Sequence, residues 1–159
     1  LFVTGDANCD VTLWRVSDNQ PILKCKGHIG WVRSVVFSPD STILASASYD
    51  STIKLWDIHT GNCLKTLLGH TNRGYSLFIS PDSKILASSS SDKTIKIWSL
   101  STGECLKTLL GHTSSIRCVA FNPDGKILAS CGYDQVVKLW DVLSGECIKT
   151  LQGHTNSVR

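Results

Sequence analysis

The strongest constraint on this chain is an internal repeat of 42 residues. Gly-His occurs at Gly27-His28, Gly69-His70, Gly111-His112 and Gly153-His154, and a tryptophan recurs at the same interval. Three copies of Leu-Ala-Ser, at 44–46, 86–88 and 128–130, keep the same register. A repeat of this kind means that one structural unit is used several times and buries its apolar surface against its neighbours.

One copy of the repeat, residues 115–152, predicts four short strands. Ile116 to Phe121 is an apolar, β-branched run that ends at an Asn-Pro-Asp-Gly turn signal. Further strands are predicted over 126–132, 136–142 and 146–152, the last of them more polar. Turn signals recur about every ten residues, which is typical of all-β folds, whereas helical repeats of about 33–34 residues need longer turn-free segments.

The predicted fold is therefore all-β, a partial β-propeller of about four blades, each a four-stranded antiparallel sheet. Residues 1–26 would form an incomplete first blade with strands two to four, followed by repeats at 27–68, 69–110 and 111–152 and by the start of another at 153–159. The chain has no Met and shows no turn or cap at either end. We therefore expect a fragment of a longer repeat array, or self-association through open blade edges.

The motifs of each repeat also follow a known order. Gly-His precedes Ser38-Pro39-Asp40 or Ser80-Pro81-Asp82, then Leu-Ala-Ser, then an aspartate, and then Trp56-Asp57 or Trp140-Asp141. In this order the chain resembles the WD-repeat β-propellers over essentially its whole length. The first repeat departs most, with Thr4, Asn8 and Arg15 in place of Ser, Asp and Asp, so weaker polar bonding is expected there. Ser99 also replaces the aspartate that follows tryptophan.

Each complete repeat carries His, Ser, Asp and Trp at fixed spacing, which invites comparison with an acyl-transfer triad. Three identical copies and the absence of a Gly-x-Ser-x-Gly motif favour a buried hydrogen-bond network instead. The resemblance likewise implies a structural tetrad that ties the strands of one blade, and no enzymatic activity is expected. The twelve residues are His28, Ser46, Asp50, Trp56, His70, Ser88, Asp92, Trp98, His112, Ser130, Asp134 and Trp140.

Other chemistry finds little support in the sequence. There is no phosphate-binding loop, dinucleotide fingerprint or metalloprotease motif, so we predict no cofactor. Of the five histidines, only His59, on a predicted turn, lies outside the Gly-His positions, so we also predict no metal site. Seven cysteines without a Cys-x-x-Cys pair are interpreted as reduced thiols of a cytoplasmic protein. Three of them, Cys63, Cys105 and Cys147, are interpreted as one buried packing position used three times.

Recognition is expected at the positions that differ between repeats. They lie three and five residues after the Gly-His histidine and directly before the turn aspartate, where the resemblance implies the rim of a central channel. Trp, Tyr and Arg are common there, and these residue types are enriched at binding hot spots. The predicted partner-binding residues are Trp31, Arg33, Tyr49, Arg73, Tyr75, Ser91, Ser115, Arg117, Tyr133 and Arg159.

The predicted function is a non-catalytic scaffold that binds a protein or peptide on one propeller face within a larger regulatory or signalling protein. Arginines beside aromatic rings suit acidic or phosphorylated partners, because guanidinium groups bind carboxylates and phosphates in bidentate geometry. Nucleic-acid or phosphate-ligand binding through the same rim is the alternative, although a net charge of +3 gives it weak support. No apolar run approaches the roughly 18 residues of a membrane span, so no membrane partner is expected.

Overall fold

The computed structural model describes residues 1–159 and is all-β, with fifteen strands in four antiparallel sheets. Consecutive strands are neighbours within every sheet. The first sheet has three strands, β1 (Phe2–Gly5), β2 (Val11–Trp14) and β3 (Pro21–Cys25). The second has four, β4 (Val32–Phe37), β5 (Ile43–Ser48), β6 (Ile53–Asp57) and β7 (Cys63–Leu67).

The third and fourth sheets repeat the second. The third sheet consists of β8 (Gly74–Ile79), β9 (Ile85–Ser90), β10 (Ile95–Ser99) and β11 (Cys105–Leu109). The fourth consists of β12 (Ile116–Phe121), β13 (Ile127–Gly132), β14 (Val137–Asp141) and β15 (Cys147–Leu151). The four strands predicted for one repeat thus form, and the whole is a partial propeller of about four blades. It contains no helix with the length and apolar character that a membrane crossing requires.

The hydrophobic core is divided among the spaces between neighbouring sheets. Three clusters of buried side chains occupy these spaces, and the one between the second and third sheets joins Ala45 and Leu55 to Leu77 and Trp98. The first strands of the sheets also contact one another, with the Leu77 amide donating to Ser34 Oγ at 3.1 Å and the Val119 amide donating to Ser76 Oγ at 3.4 Å. Each blade is therefore stabilised mainly by its neighbours.

The Gly-His glycine is required by the tryptophan of its own blade. Gly69 has φ of +155°, and a Cβ added there would lie 3.1 Å from Trp98 Cη2. Gly111 has φ of +145° and the same relation to Trp140 at 3.3 Å. A side chain at either position would strain the backbone and crowd the indole, which would have to shift by a few tenths of an ångström.

The interpretation of Cys63, Cys105 and Cys147 as buried packing residues is wrong. All seven cysteines are free, but these three are exposed. They begin the outermost strand of each sheet, and the Cys63 thiol donates to the Lys65 carbonyl at 3.3 Å. Sequence spacing shows that a position recurs but does not show which side of an outer strand faces solvent.

Candidate functional site

The predicted tetrad residues of the second sheet form a continuous hydrogen-bonded chain. Trp56 Nε1 donates to Ser46 Oγ at 2.8 Å, and Ser46 Oγ lies 2.7 Å from His28 Nε2. On the other side of the ring, His28 Nδ1 lies 2.8 Å from Asp50 Oδ2. The chain joins the loop before β4 to β5, to β6 and to the turn between them, so a single network fixes four parts of one blade.

The other two complete repeats reproduce this geometry closely. In the third sheet the distances are 2.8 Å from Trp98 to Ser88, 2.8 Å from Ser88 to His70 and 2.7 Å from His70 to Asp92. In the fourth sheet Trp140, Ser130, His112 and Asp134 are joined at 2.8, 2.7 and 2.6 Å. The first sheet keeps only the first step, in which Trp14 Nε1 donates to Thr4 Oγ1 at 2.9 Å.

Burial settles the proton arrangement in the network. It lowers the pKa of His28 and of His112, although the facing aspartates oppose this effect. Burial disfavours ionisation of Asp50, yet hydrogen bonds from Thr52, the Ile29 amide and His28 outweigh it and lower the pKa of Asp50. A neutral His28 therefore donates from Nδ1 to the ionised Asp50 and accepts the Ser46 hydroxyl proton at Nε2.

This polarity is that of an acyl-transfer triad, but the serines cannot meet a substrate. Ser46, Ser88 and Ser130 are 0%, 1% and 2% exposed. Each serine oxygen also accepts the indole N–H of its blade, so the hydroxyl is bonded within the core to both tryptophan and histidine. The arrangement is a nearly fully satisfied buried polar network, and such a network specifies one packing of the strands.

Two threonines outside the predicted tetrad complete the network in the second and third sheets. Thr52 Oγ1 donates to Asp50 Oδ1 at 2.7 Å, and Thr94 Oγ1 donates to Asp92 Oδ1 at 2.7 Å. The corresponding residue of the fourth sheet is Val136, and Asp134 Oδ1 is buried there without a hydrogen-bond partner. In the sequence, Thr52 and Thr94 are 42 residues apart, and this shared repeat position indicates a common role that Val136 cannot fill.

The variable rim positions converge on one contiguous surface. Trp31 stacks on Tyr49 at 5.8 Å between ring centroids, and Tyr49 meets Tyr75 edge to face at 5.8 Å. The Arg117 guanidinium lies 4.1 Å from the Tyr75 ring centre and 5.2 Å from that of Tyr133. Arg73 and Arg33 lie over Tyr49 at 4.8 and 6.0 Å. We call this surface the arginine–aromatic face: Trp31, Arg33, Tyr49, Arg73, Tyr75, Arg117 and Tyr133.

A bulge in the first strand of the second, third and fourth sheets explains why these side chains gather there. The pairing of β4 with β5 shifts between Val32 and Ser34, and the pairing of β8 with β9 shifts between Gly74 and Ser76. The pairing of β12 with β13 shifts in the same way around Arg117. Bulges re-aim side chains, and the residue left without a partner is Arg33, Tyr75 or Arg117 in turn.

The remaining predicted rim residues are placed at the same end of the strands but take less part in the contacts. The Ser91 amide donates to the Arg73 carbonyl and the Tyr133 amide donates to the Ser115 carbonyl, both at 2.9 Å. These backbone bonds hold the loops on which Arg73 and Tyr133 lie. Arg159 is exposed and makes no ring contact with the arginine–aromatic face.

The face is exposed at its two ends and carries unneutralised positive charge. Trp31 is 55% exposed and Tyr133 is 42% exposed. Arg15 pairs with Asp18 at 2.9 Å, whereas Arg33, Arg73 and Arg117 have no carboxylate within ion-pair distance. A cavity of about 460 Å³ lies beside Trp31, with Ile29, Tyr49 and Arg73 in its lining. No group of three or more His, Cys, Asp or Glu side chains is arranged to hold a metal ion.

Comparison with known proteins places the fold in a family. The family model for the WD domain, G-beta repeat, matches residues 19–57, 61–99 and 103–141. The chain belongs to the WD-repeat family. Each WD match takes in the outermost strand of one sheet and the first three strands of the next, so consecutive repeats are interlocked. WD repeats generally serve as non-catalytic scaffolds for protein–protein interaction.

Individual WD-repeat relatives match only part of the chain. Apoptotic protease-activating factor 1 of Mus musculus is 41% identical over 44 residues, 28% of this chain and 4% of that protein. Protein transport protein SEC13 of Phaeosphaeria nodorum is 40% identical over 60 residues, 33% of this chain and 20% of that protein. An uncharacterized WD repeat-containing protein of Schizosaccharomyces pombe is 40% identical over 48 residues. The chain thus spans a fifth or less of the curated relatives named here.

Proposed function

We propose that the chain is a non-catalytic interaction module that binds an acidic or phosphorylated peptide segment of a protein partner on the arginine–aromatic face. The observation that supports it is the unbroken series of ring and guanidinium contacts from Trp31 to Tyr133, which crosses three sheets. Residues from three repeats would then act on one ligand. Each buried network fixes the strands and turn of one of these blades.

The charge of the face argues for an anionic partner. The guanidinium groups of Arg33, Arg73 and Arg117 lie over tyrosine rings, and none has a carboxylate within ion-pair distance. An arginine held in place in this way loses little conformational entropy when it binds a carboxylate or phosphate through two parallel hydrogen bonds. The face is therefore prepared for anionic groups spaced along an extended chain.

The exposed indole argues for an apolar anchor next to that charge. One face of Trp31 rests on Tyr49, and the adjoining cavity of about 460 Å³ is large enough for a side chain of the partner. A ring that is fixed on one side and open on the other can bury much area at little cost in entropy. We therefore propose that an apolar residue of the peptide binds beside Trp31.

Nucleic acid is the competing ligand, because arginines and aromatic rings also bind single strands. Successive bases need successive free ring faces. Here Tyr49 and Tyr75 have arginines over their rings, and the well-exposed rings are those of Trp31 and Tyr133 at opposite ends. This arrangement favours the peptide.

An array of short defined peptides tests the proposal. It would hold phosphoserine-containing, Asp/Glu-rich, neutral and Lys-rich sequences, with a single-stranded oligothymidine measured alongside at several salt concentrations. We expect phosphorylated or acidic peptides that contain an apolar residue to bind. Binding of the oligonucleotide alone, with a steep salt dependence, would replace the proposal by the alternative. Equal binding of Lys-rich peptides would contradict it.

Variants locate the binding surface. For the best peptide, Arg117→Ala and Trp31→Ala should each raise Kd about 30-fold, since a hot-spot truncation costs about 2 kcal/mol. Arg15→Ala is the matched control, because Arg15 is an exposed arginine paired with Asp18 away from the face. Equal effects of Arg15→Ala and Arg117→Ala would show that the peptide responds only to net charge.

A further inference from the structure

The fourth sheet differs from the others at one pair of opposed positions. Ser34 faces Ala47 in the second sheet, and Ser76 faces Ser89 in the third. The same register positions in the fourth sheet hold Cys118 and Cys131. Each of the exposed cysteines Cys63, Cys105 and Cys147 faces a tryptophan instead. Among the paired strand positions, only Cys118 and Cys131 place two thiols directly opposite each other.

We propose that Cys118 and Cys131 form a reversible redox site, in which hydrogen peroxide converts the two thiols into a cross-strand disulfide. The inference is independent of the proposed binding function. Opposed residues of antiparallel strands have Cα atoms about 4.5 or 5.5 Å apart, and a disulfide spans about 4.4–6.8 Å. The expected Cα separation of Cys118 and Cys131 therefore lies within the range that a disulfide spans.

The surroundings of the two thiols suit this chemistry. Both cysteines are partly exposed, and a cavity of about 160 Å³ opens beside them, lined by Val119, Ala129 and Val137 among others. Peroxide is small enough to enter such a space. The walls of the cavity are apolar, and the hydroxyl of Ser76 lies 3.9 Å from Cys118 Sγ.

The environments of the two sulfurs distinguish their roles. The adjacent Cys131 thiol and the Ser76 hydroxyl, which donates to Cys118 Sγ at 3.9 Å, lower the pKa of the Cys118 thiol to about 6. The adjacent Cys118 and burial raise the pKa of the Cys131 thiol. Cys118 is therefore the nucleophile at neutral pH, and Cys131 is the resolving thiol.

The reaction balances with peroxide as the sole oxidant. The Cys118 thiolate attacks one peroxide oxygen, an S–O bond forms, the O–O bond breaks, and the departing hydroxide takes a proton to become water. Cys131 then loses its proton and attacks the sulfenic sulfur, so that the S–S bond forms and the S–O bond breaks with release of a second water. Two thiols are oxidised by two electrons, and one peroxide is reduced to two waters.

Peptide mapping tests the site directly. The folded chain is treated with hydrogen peroxide, unreacted thiols are alkylated, and the protein is digested with trypsin. Cleavage after Arg117, Lys126 and Lys138 places Cys118 in peptide 118–126 and Cys131 in peptide 127–138. We expect these two peptides to be joined, with loss of two hydrogens, and to separate again after dithiothreitol.

The controls use residues that the other sheets already tolerate. Cys118→Ser and Cys131→Ala copy the residues found at the same positions of the second sheet, so both variants should fold and yield no joined peptide. A variant with serine in place of Cys63, Cys105 and Cys147 should still yield it in full. The proposal is overturned if folded wild-type protein carries both cysteines alkylated, or oxidised without linkage, after peroxide treatment.

Discussion

The buried oxygen of Asp134 provides a stabilising substitution whose size follows from the other repeats. Val136→Thr would give the fourth sheet the hydroxyl that Thr52 and Thr94 supply to their aspartates at 2.7 Å. A hydrogen bond to a charged group contributes about 1.5–3 kcal/mol, and the partly buried site favours the lower end. Replacing a half-buried methyl by a hydroxyl costs about 0.4 kcal/mol. The net gain is about 1 kcal/mol, because valine and threonine are both β-branched and close in size, so no further cost is expected.

Thermal unfolding followed by tryptophan fluorescence would measure this gain. A stabilisation of about 1 kcal/mol raises Tm by about 2–4 °C in a chain of this length. The matched controls are Thr52→Val and Thr94→Val, which remove the same bond from the second and third sheets and should lower Tm by a similar amount. An unchanged or lower Tm for Val136→Thr would refute the reasoning that the unpartnered oxygen of Asp134 destabilises the fold.

The remaining predictions concern the network, its pH dependence and the exposed indole. Ser46→Ala should lower Tm by about 4–12 °C. The substitution leaves the buried nitrogens of His28 and Trp56 without a hydrogen-bond partner, which lowers the free energy of unfolding by about 2–3 kcal/mol. An unchanged Tm would contradict the stabilising role of the network. Since folding lowers the pKa of His28 below 6.5, the unfolded state binds more protons, so the free energy of unfolding should fall as pH drops through 6.5. Because folding lowers the pKa of Asp50 below 3.8, the free energy of unfolding should fall again below pH 3.8. Denaturant titrations that show equal stability at pH 7 and pH 5 would contradict the decrease expected from His28. Trp31→Ala should shift Tm by less than about 2 °C, since surface substitutions usually change stability by less than about 0.5 kcal/mol, and a large loss would show that Trp31 packs in the core.

The repeat predicted the fold well because each strand is short and its ends are marked by turn residues. The strand predicted over 116–121 is β12, and the one predicted over 146–152 is β15 at Cys147–Leu151. The His, Ser, Asp and Trp positions of the network could also be predicted from the sequence, since a network shared by the complete repeats has its residues at a fixed spacing. Local patterns and the repeat agree here, as they do in sequences that specify one structure.

What the sequence could not supply depends on register and on side-chain direction. The bulge at Arg117 brings Cys118 opposite Cys131, and a bulge of one residue is not visible in an alternating pattern. The ring contacts of Tyr49 with Arg73 and Tyr75 likewise depend on how three sheets are placed relative to one another. Exposure of Cys63 follows from its place on an outer strand, which the spacing alone does not reveal.

The central claim is that the buried networks stabilise the fold whereas the arginine–aromatic face binds the partner. It is tested most directly within the fourth sheet. Tm and the Kd for the best array peptide would be measured on the same preparations of His112→Ala and Arg117→Ala. We expect His112→Ala to lower Tm by several degrees with an unchanged Kd in the folded protein, and Arg117→Ala to raise Kd about 30-fold with nearly unchanged Tm. Loss of peptide binding in fully stable His112→Ala, or unfolding of Arg117→Ala with intact affinity, would contradict the account.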